Sequence, residues 1–255
     1  MFEAAASPYL VSDDGKFRVK SASSVPPKGS PGKKKCKEQL AKRIDEISDL
    51  QRILYAHDRH AILLIFQAMD AAGKDSTIRA VMSGINPAGC QVFSFKQPTP
   101  EALDHDFLWR TAKCLPERGR IGIFNRSYYE EVLAVRVHPR FLDAQYAGAA
   151  PDPATLWPAR YRAIREHERH LAASHTLVLK FWLNVSPGKQ AERFLDWLRD
   201  NEERVRKVAE GTSRFLRLAE IKTQTIGTFA RAPVSDDQMK SMAEIVCPEK
   251  RVAKV

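Results

Sequence analysis

Short apolar runs alternate with segments of helical spacing through most of this chain. Each apolar run is short enough for one β-strand, and the runs lie at residues 61–67, 91–95, 120–125 and 176–185. Apolar positions that recur every three or four residues predict helices at 73–84, 101–114, 127–136, 159–173 and 188–199. Because strands that alternate with helices form a parallel sheet covered on both faces, the pattern predicts an α/β fold.

A further amphipathic helix is predicted ahead of the first strand, at residues 38–55. Its apolar face consists of Leu40, Ile44, Ile47, Leu50, Ile53 and Leu54. This face requires a sheet or a partner to cover it. Residues 1–38 are predicted to form a basic N-terminal arm, because a segment rich in Ser, Pro and Gly is followed by a cluster of lysines. Such a run is either a solvated segment or a means of gathering an anionic substrate.

A proline-rich connection at residues 139–158 precedes the helix predicted at 159–173. Long irregular connections are either mobile lids or inert surface loops, and the pattern leaves both readings open.

Charge and cysteine content narrow the class of protein. The 255 residues include 41 Lys and Arg against 31 Asp and Glu, a formal net charge of +10. Such a charge favours a polyanionic partner, yet the chain lacks zinc-finger spacing and an aromatic RNA-binding signature, so we expect no nucleic-acid partner.

Four scattered cysteines without a C-x-x-C pair predict reduced thiols. With neither a secretory signal nor an apolar run long enough for a membrane span, we expect a cytoplasmic protein without a membrane partner.

The first predicted strand leads into a small-residue loop and then a helix, within the string LLIFQAMDAAGKDSTI. Strand, loop and Lys74 at the start of a helix are typical of a phosphate-binding loop, in which backbone N–H groups and the lysine hold phosphate. The match to G-x-x-x-x-G-K-[ST] is imperfect, because Ala68 replaces the first Gly and Asp75 replaces Ser or Thr. Asp70 and Asp75 would repel a phosphate unless a divalent cation lay between them, so the loop predicts Mg²⁺.

The third predicted strand ends in a second polar group, Asn125 and Arg126. The carboxyl ends of parallel strands face one crevice, where ligands bind, so these side chains are expected beside Lys74. Asn125 is a neutral candidate metal ligand, and Glu130 one turn later could supply charge, although acids in a first helical turn also complement the helix dipole. Further cations that could contact a phosphate chain include Lys96, Arg136 and Arg193.

The two motifs together resemble those of the polyphosphate kinase 2 family, whose loop reads G-x-D-x-x-G-K-[DG] and whose later strand ends in F-[DN]-R-S. The similarity covers roughly residues 8–197 and includes YAHDRHAILLIFQAMDAAGKDSTI, MSGINPAGCQVFSFKQPTPEALDHDFLWR and CLPERGRIGIFNRSYYEEVLAVRVHP. It is greatest to the third class of the family, which is similar to enzymes that accept AMP and ADP.

The resemblance implies a thymidylate-kinase-like P-loop fold: a three-layer sandwich with a parallel sheet and a helical lid. On this basis residues 39–255 would form a single P-loop kinase domain, with the lid at about 137–175. The implied reaction is reversible transfer of the terminal phosphoryl group of inorganic polyphosphate to ADP and AMP, yielding ATP from ADP. Mg²⁺ would be the cofactor, with Mn²⁺ as a substitute, and the family suggests a homo-oligomer, either a dimer or a tetramer.

The resemblance also implies roles for individual residues. Asp70, Lys74, Arg126 and Arg193 would be catalytic, with Asp70 holding the metal, Lys74 contacting the transferring phosphoryl and the two arginines offsetting its charge. Asn125 and Glu130 would join Asp70 as metal ligands. The implied phosphate and nucleotide contacts are Ala71, Ala72, Gly73, Asp75, Ser76, Lys96, Asn125 and Arg136.

Two departures from the family pattern leave alternatives open. Ala68 would crowd the loop if that position required a positive φ angle, and residues 199–255 diverge from the family and lack its aromatic residues. A pseudoenzyme that binds polyphosphate or nucleotide without turnover is therefore one alternative. An ATP-dependent P-loop kinase of a small metabolite is another, while a nucleic-acid-binding protein would explain the charge but not the two aspartates.

Overall fold

The computed structural model describes residues 7–11, 15–146 and 149–209. The chain divides into two compact units: one contains residues up to 69 together with 73–184, and the other contains 70–72 together with the segment from 185 onward. The greater part of the predicted divergent segment, 210–255, lies outside the described residues.

The first unit is built on a parallel sheet of four strands. These strands are β1 (Ala61–Ala68), β2 (Cys90–Ser94), β3 (Ile121–Asn125) and β4 (Thr176–Leu183). Their order is β2-β3-β1-β4, and each neighbouring pair is parallel. The predicted α/β class with a parallel sheet is confirmed, and the strand bounds agree with the predicted ones to within two residues.

Helices follow the strands in the order that the periodicity predicts. In chain order they are α1 (Lys33–His57), α2 (Lys74–Met82), α3 (Pro100–Leu103), α4 (Trp109–Ala112), α5 (Ala134–Val137), α6 (Arg140–Gln145), α7 (Pro153–Ala173) and α8 (Pro187–Ala209). Short 3₁₀ helices lie at Val19–Ser21, Pro87–Gly89 and Tyr128–Glu131. The first helix begins at Lys33, so the lysine cluster assigned to the arm lies in the first turns of α1.

Two predicted helices are wrong as continuous elements. The segment 101–114 contains only the short α3 and α4, because Asp106 interrupts it: its carboxylate accepts a hydrogen bond from Leu108 N at 2.9 Å. The segment 127–136 divides into the 3₁₀ helix Tyr128–Glu131 and α5. Its first turn is tightened by Ser127, whose hydroxyl accepts a hydrogen bond from Tyr129 N.

The segment predicted as an irregular connection, 139–158, is largely helical. It contains α6, and α7 begins at Pro153, six residues earlier than predicted. Asp152 caps α7 by accepting a hydrogen bond from Ala154 N, and proline is well suited to the first helical position. One of the prolines that suggested a loop, Pro153, is therefore the first residue of a helix.

The two faces of the sheet are covered by different helices, as alternating side chains require. On one face, Ile78 of α2 and Leu54 of α1 pack with Phe66 and Ile123. On the other face, the buried cluster includes Leu63, Ile65, Phe124, Ile164 and Leu171, the last two from α7. These helices and the sheet form three layers within the first unit.

A buried ion network joins the 3₁₀ helix to three other elements. The Glu131 carboxylate accepts hydrogen bonds from Arg110 Nη2 at 3.0 Å and from Gln145 Nε2 at 2.6 Å. The Arg160 guanidinium donates to the Glu131 carbonyl at 2.9 Å and to Gln145 Oε1 at 2.6 Å. The side chains of Glu131 and Arg160 are 2% and 3% exposed, so the network fixes α4, α6 and α7 around one carboxylate.

We expect Glu131→Ala to lower the free energy of unfolding by about 3–5 kcal/mol, because it leaves two arginines without their buried carboxylate. Urea denaturation measures the change. Glu117→Ala is the matched control, since Glu117 is 71% exposed in its ion pair with Arg120 and should cost less than about 1 kcal/mol. Equal losses in the two variants would contradict the structural role of the network.

Candidate active site at the carboxyl ends of β1 and β3

The phosphate-binding loop predicted after the first strand begins at the end of β1 and leads into α2. Gly73 precedes α2 with φ of 90°, a left-handed conformation that glycine adopts without a Cβ penalty. The Gly73 carbonyl accepts hydrogen bonds from Thr77 N at 3.0 Å and from the Ser76 hydroxyl at 2.9 Å. The N-terminus of α2 thus has the geometry that presents backbone N–H groups to an anion.

Ala68 does not strain the loop. It is the last residue of β1, and its φ is not positive, so its methyl group imposes no left-handed backbone penalty. The non-glycine residue of the loop with a positive φ is Ala71, at 57°. The residue with the left-handed backbone is therefore Ala71, whereas the residue that departs from the family motif is Ala68.

Lys74 is the first residue of α2 and is buried, with 9% of its surface exposed. Its ammonium group points back to the end of β1, where it donates to the Ala68 carbonyl at 3.1 Å and lies 3.4 Å from the Met69 carbonyl. A lysine held at this point offers positive charge at the strand end, where an incoming phosphate could replace the carbonyl contacts.

The middle of the loop belongs to the second unit, together with α8. There, Arg193 donates to the Ala71 carbonyl at 3.2 Å and Gln190 donates to the Asp70 carbonyl at 2.7 Å. Gln190 is 6% exposed, and Ala72 is buried. The predicted catalytic residue Arg193 is thus in contact with the loop backbone, and the sequence did not single out Gln190.

Asn125 and Arg126 lie at the end of β3, beside the start of α2. The Asn125 amide donates to the Asp75 carboxylate. Arg126 has φ of 65°, and its backbone N–H donates to the Phe66 carbonyl at 3.0 Å, which locks the residue to β1. A left-handed conformation is unfavourable for a non-glycine residue and persists where the surroundings impose it, typically at functional sites.

Glu130 faces the end of β1 through a residue that the sequence did not single out. Gln67 Nε2 donates to Glu130 Oε1 at 3.0 Å, and Gln67 is 7% exposed. Since a carboxylate only accepts hydrogen bonds, the amide nitrogen of Gln67 must face Glu130. A polar residue inside the apolar run LLIFQA was the available signal for Gln67.

The two remaining predicted phosphate contacts lie on different elements. Lys96 is exposed two residues after β2, and its carbonyl accepts a hydrogen bond from Arg110 Nη1 at 2.6 Å. Arg136 of α5 is exposed and donates to the Tyr161 hydroxyl at 2.8 Å, with its guanidinium over the Trp157 ring. Arg136 is thus oriented towards α7 rather than towards a strand end.

A second group of hydrogen bonds, centred on the Glu168 carboxylate, links α7 to the 3₁₀ helix Tyr128–Glu131 and to β4. Glu168 accepts hydrogen bonds from the hydroxyls of Tyr128 at 3.0 Å and Tyr129 at 2.8 Å, and from Lys180 Nζ at 2.6 Å. Burial and the adjacent carboxylate raise the pKa of both tyrosines well above the ordinary value, so they remain protonated donors. Burial also lowers the pKa of His167, which lies edge-on to Tyr128.

Comparison with known proteins identifies the family to which this geometry belongs. The family model described as polyphosphate kinase 2 matches residues 31–211, which include both strand ends, the loop and α8. This chain belongs to the polyphosphate kinase 2 family.

Two relatives and one solved structure illustrate the similarity of this polyphosphate kinase 2 family member to known proteins. An ADP-polyphosphate phosphotransferase of Rhodopseudomonas palustris is 59% identical over 162 residues, covering 62% of this chain and 55% of the relative. An AMP/ADP-polyphosphate phosphotransferase of Meiothermus ruber is 41% identical over 197 residues, covering 77% and 70%. The crystal structure of polyphosphate kinase 2 from Arthrobacter aurescens TC1 matches with a TM-score of 0.65 and 31% identity, covering 91% of this chain and 74% of that chain.

The donor atoms at the strand ends fit the divalent cation that the family motif implies. The Asn125 side-chain N–H donates to the Asp75 carboxylate, so a carboxylate and a side-chain amide lie next to each other, and Mg²⁺ is commonly held by one or two carboxylates together with substrate phosphates and water. Within the described ranges, no group of three or more His, Cys, Asp or Glu side chains forms a preassembled metal site.

No helix in the described part of the chain combines the length and apolarity that a membrane span requires.

We expect Asn125→Asp to make stability depend on Mg²⁺. The change places two carboxylates in contact, and without metal their repulsion should lower the free energy of unfolding by about 1 kcal/mol. A cation bound between them removes that repulsion. Thermal melting with EDTA and with Mg²⁺ should show a larger metal-induced rise in Tm for this variant than for the parent protein.

Asn86→Asp is the control for that experiment, because the Asn86 side-chain oxygen accepts from Ala88 N at 3.0 Å and a carboxylate preserves this bond. Its response to Mg²⁺ should equal that of the parent protein. An identical response of all three proteins would contradict a cation site at Asn125.

Proposed function

We propose that this protein is a polyphosphate-dependent nucleotide kinase, which transfers the terminal phosphoryl group of inorganic polyphosphate to ADP and to AMP. The observation that carries the proposal is the buried Lys74, the first residue of α2, whose ammonium group is held at the carbonyl of the last residue of β1. The printed names of the relatives supply the substrate classes: one is named for ADP and the other for AMP and ADP, both with polyphosphate.

In the proposed reaction, the N–H groups at the start of α2 bind phosphate oxygens, and Lys74 exchanges its carbonyl partners for the transferring phosphoryl group. Arg126 and Arg193 offset the negative charge that spreads over the equatorial oxygens, as an arginine finger does. The left-handed backbone of Arg126 and its N–H bond to the Phe66 carbonyl fix the main-chain position from which that side chain extends. Positioning and charge neutralisation supply most of the catalysis in phosphoryl transfer.

Asp70, Asn125 and Glu130 are the proposed ligands of Mg²⁺, with Asp75 contributing through its contact with Asn125. When bound, Mg²⁺ would neutralise charge on the phosphates and orient them. Gln67 holds the Glu130 carboxylate at the end of β1. We further propose that Lys96 and Arg136 contact the phosphate chain away from the reacting end, and that transfer is reversible because the donor and the product are both phosphoanhydrides.

Two alternatives differ from this proposal in their chemistry. A pseudoenzyme is disfavoured by the relaxed backbone at Ala68, since the feature that suggested crowding of the loop causes no strain. An ATP-dependent kinase of a small metabolite would use the same phosphate-binding loop. The identity of the phosphoryl donor separates it from the proposed activity.

The test is ATP formation from ADP, long-chain polyphosphate and Mg²⁺, repeated with AMP as acceptor and followed by chromatography. We expect Lys74→Ala to lower kcat at least about 100-fold, because it removes a preorganised charge from the transition state. Lys42→Ala is the control: Lys42 is an exposed residue of α1, and its loss should leave kcat unchanged. Circular dichroism verifies that each variant is folded.

Product formation that requires polyphosphate and Lys74 would support the kinase. Undiminished turnover by the folded Lys74→Ala variant would exclude the assigned phosphate-binding loop. The absence of ATP from the folded parent protein would overturn the proposed function.

A further inference from the structure

The phosphate-binding loop contains two residues with a left-handed backbone, Ala71 and Gly73, with φ of 57° and 90°. Gly73 adopts this conformation without a penalty because it lacks a Cβ atom. Ala71 has a Cβ atom, and an L-residue disfavours the left-handed region by about tenfold. The surroundings of Ala71 must therefore supply the interactions that hold it there.

Two side chains of α8 bind the peptide groups on either side of Ala71. Gln190 Nε2 donates to the Asp70 carbonyl at 2.7 Å, and this carbonyl belongs to the peptide group before Ala71. Arg193 Nη1 donates to the Ala71 carbonyl at 3.2 Å, which belongs to the peptide group after it. Because peptide groups are planar, the orientations of these two groups define φ and ψ of Ala71. The two hydrogen bonds together therefore hold Ala71 in its left-handed conformation.

The helix that supplies these donors is anchored close to the loop contact. Gln190 and Arg193 are three residues apart, so they lie on the same face of α8. The Gln190 backbone N–H donates to the Ser186 carbonyl at 2.9 Å, in the first turn of the helix. Gln190 is 6% exposed. Its amide is thus fixed on the helix at one end and on the loop at the other.

The two donors differ in how they would respond to a phosphate. Arg193 is charged and partly exposed, and the proposed function assigns it to the transferring phosphoryl group, which would compete for its bond to the Ala71 carbonyl. Gln190 is neutral and buried, and its bond to the Asp70 carbonyl is the shorter of the two. Gln190 can therefore retain the loop while Arg193 turns to the substrate.

We propose that Gln190 is a positioning residue, which keeps Ala71 left-handed and so maintains the phosphate-binding form of the loop. The inference rests on the proposed function for the identity of the ligand and of the reaction. When only a fraction of the protein has the binding form, the apparent dissociation constant rises in proportion. Loss of the Gln190 donor should therefore weaken phosphate binding without removing any group that touches phosphate.

The test measures binding of inorganic tripolyphosphate with Mg²⁺ by isothermal titration calorimetry, without nucleotide, so that no transfer to an acceptor is required. Gln190→Met keeps an unbranched side chain of similar length but removes the N–H donor, and we expect it to weaken binding about tenfold. Gln39→Met is the matched control, because Gln39 is exposed on α1. Its affinity for tripolyphosphate should equal that of the parent protein.

A glycine at the left-handed position should rescue the variant. In the Gln190→Met background, Ala71→Gly should restore at least about threefold in affinity, because glycine adopts a positive φ without the Cβ penalty. Ala72→Gly is the control for the rescue: Ala72 is the next residue of the loop, and its φ is not positive. It should restore nothing. A role of Gln190 in packing alone would not distinguish the two glycines.

Steady-state kinetics provides a second readout. In the assay of ATP formation, Gln190→Met should raise KM for polyphosphate about tenfold and change kcat by less than about threefold, because saturating substrate selects the binding form. This pattern differs from the loss of kcat expected for Lys74→Ala.

Thermal melting verifies that the variants are folded, and Gln190→Leu is made in parallel as a second side chain without a donor. Loss of folding in both variants would overturn the proposal, because Gln190 would then be required by the fold rather than by the loop.

The remaining outcomes separate this proposal from the kinase assignment. Unchanged tripolyphosphate binding by folded Gln190→Met would overturn the positioning role even if the protein makes ATP. Weakened binding that Ala71→Gly does not restore would also overturn it. Weakened binding with selective rescue, in a parent protein that makes no ATP, would support the positioning role while the kinase proposal fails. Failure of the parent protein to bind tripolyphosphate would overturn the positioning role.

Discussion

The pairing of β1 with β3 is the constraint on which the arrangement of the site depends. The two parallel strands are in a register that pairs Phe66 with Asn125, and the next residue, Arg126, donates its backbone N–H to the Phe66 carbonyl. The two strands therefore end at the same level of the sheet, and their polar residues lie together there. A slip of one residue would turn every side chain of a strand to the opposite face, which would separate Asn125 from Asp75 and bury polar groups in the apolar layers.

The 3₁₀ helix Tyr128–Glu131 transmits this arrangement to the rest of the first unit. The side chain of each of its residues makes a polar contact. Tyr128 and Tyr129 both donate to the Glu168 carboxylate of α7, and Glu130 accepts from Gln67 of β1. Glu131 forms ion pairs with the partly buried Arg110 and the buried Arg160. One short turn thus links the end of β1, the long helix α7 and the buried ion network. Since these contacts are wholly or partly buried, they fix side-chain positions more strongly than surface pairs do.

Local patterns predicted the elements and the main candidate residues. The strand predicted at 61–67 is β1, and Lys74 begins a helix as the loop pattern required. The position of a strand and the start of a helix can be predicted from neighbouring residues, because both depend on the local spacing of apolar and polar positions. The break between α3 and α4 was missed because it depends on the hydrogen bond from Leu108 N to the Asp106 carboxylate rather than on apolar periodicity.

Contacts between distant residues were beyond sequence patterns. Gln67 and Glu130 are 63 positions apart, and Arg160 follows its partner Glu131 by 29. Neither spacing corresponds to a helix or strand period, so the sequence could not predict these contacts, and the ion network is seen only in the folded chain. The proposed roles of Asp70 and Arg193 came from the family motifs, and the structure adds the backbone contact of Arg193 within the loop.

Phosphorus NMR of the reaction mixture tests the proposed chemistry most directly. A polyphosphate of defined chain length is mixed with ADP, Mg²⁺ and the parent protein, and the resonances of the chain ends and of the nucleotide are followed together. We predict that the β-phosphate resonance of ATP grows as the polyphosphate shortens by one unit for each ATP formed. Unchanged spectra with folded, ADP-binding protein, or release of inorganic phosphate without ATP, would contradict transfer from polyphosphate to nucleotide.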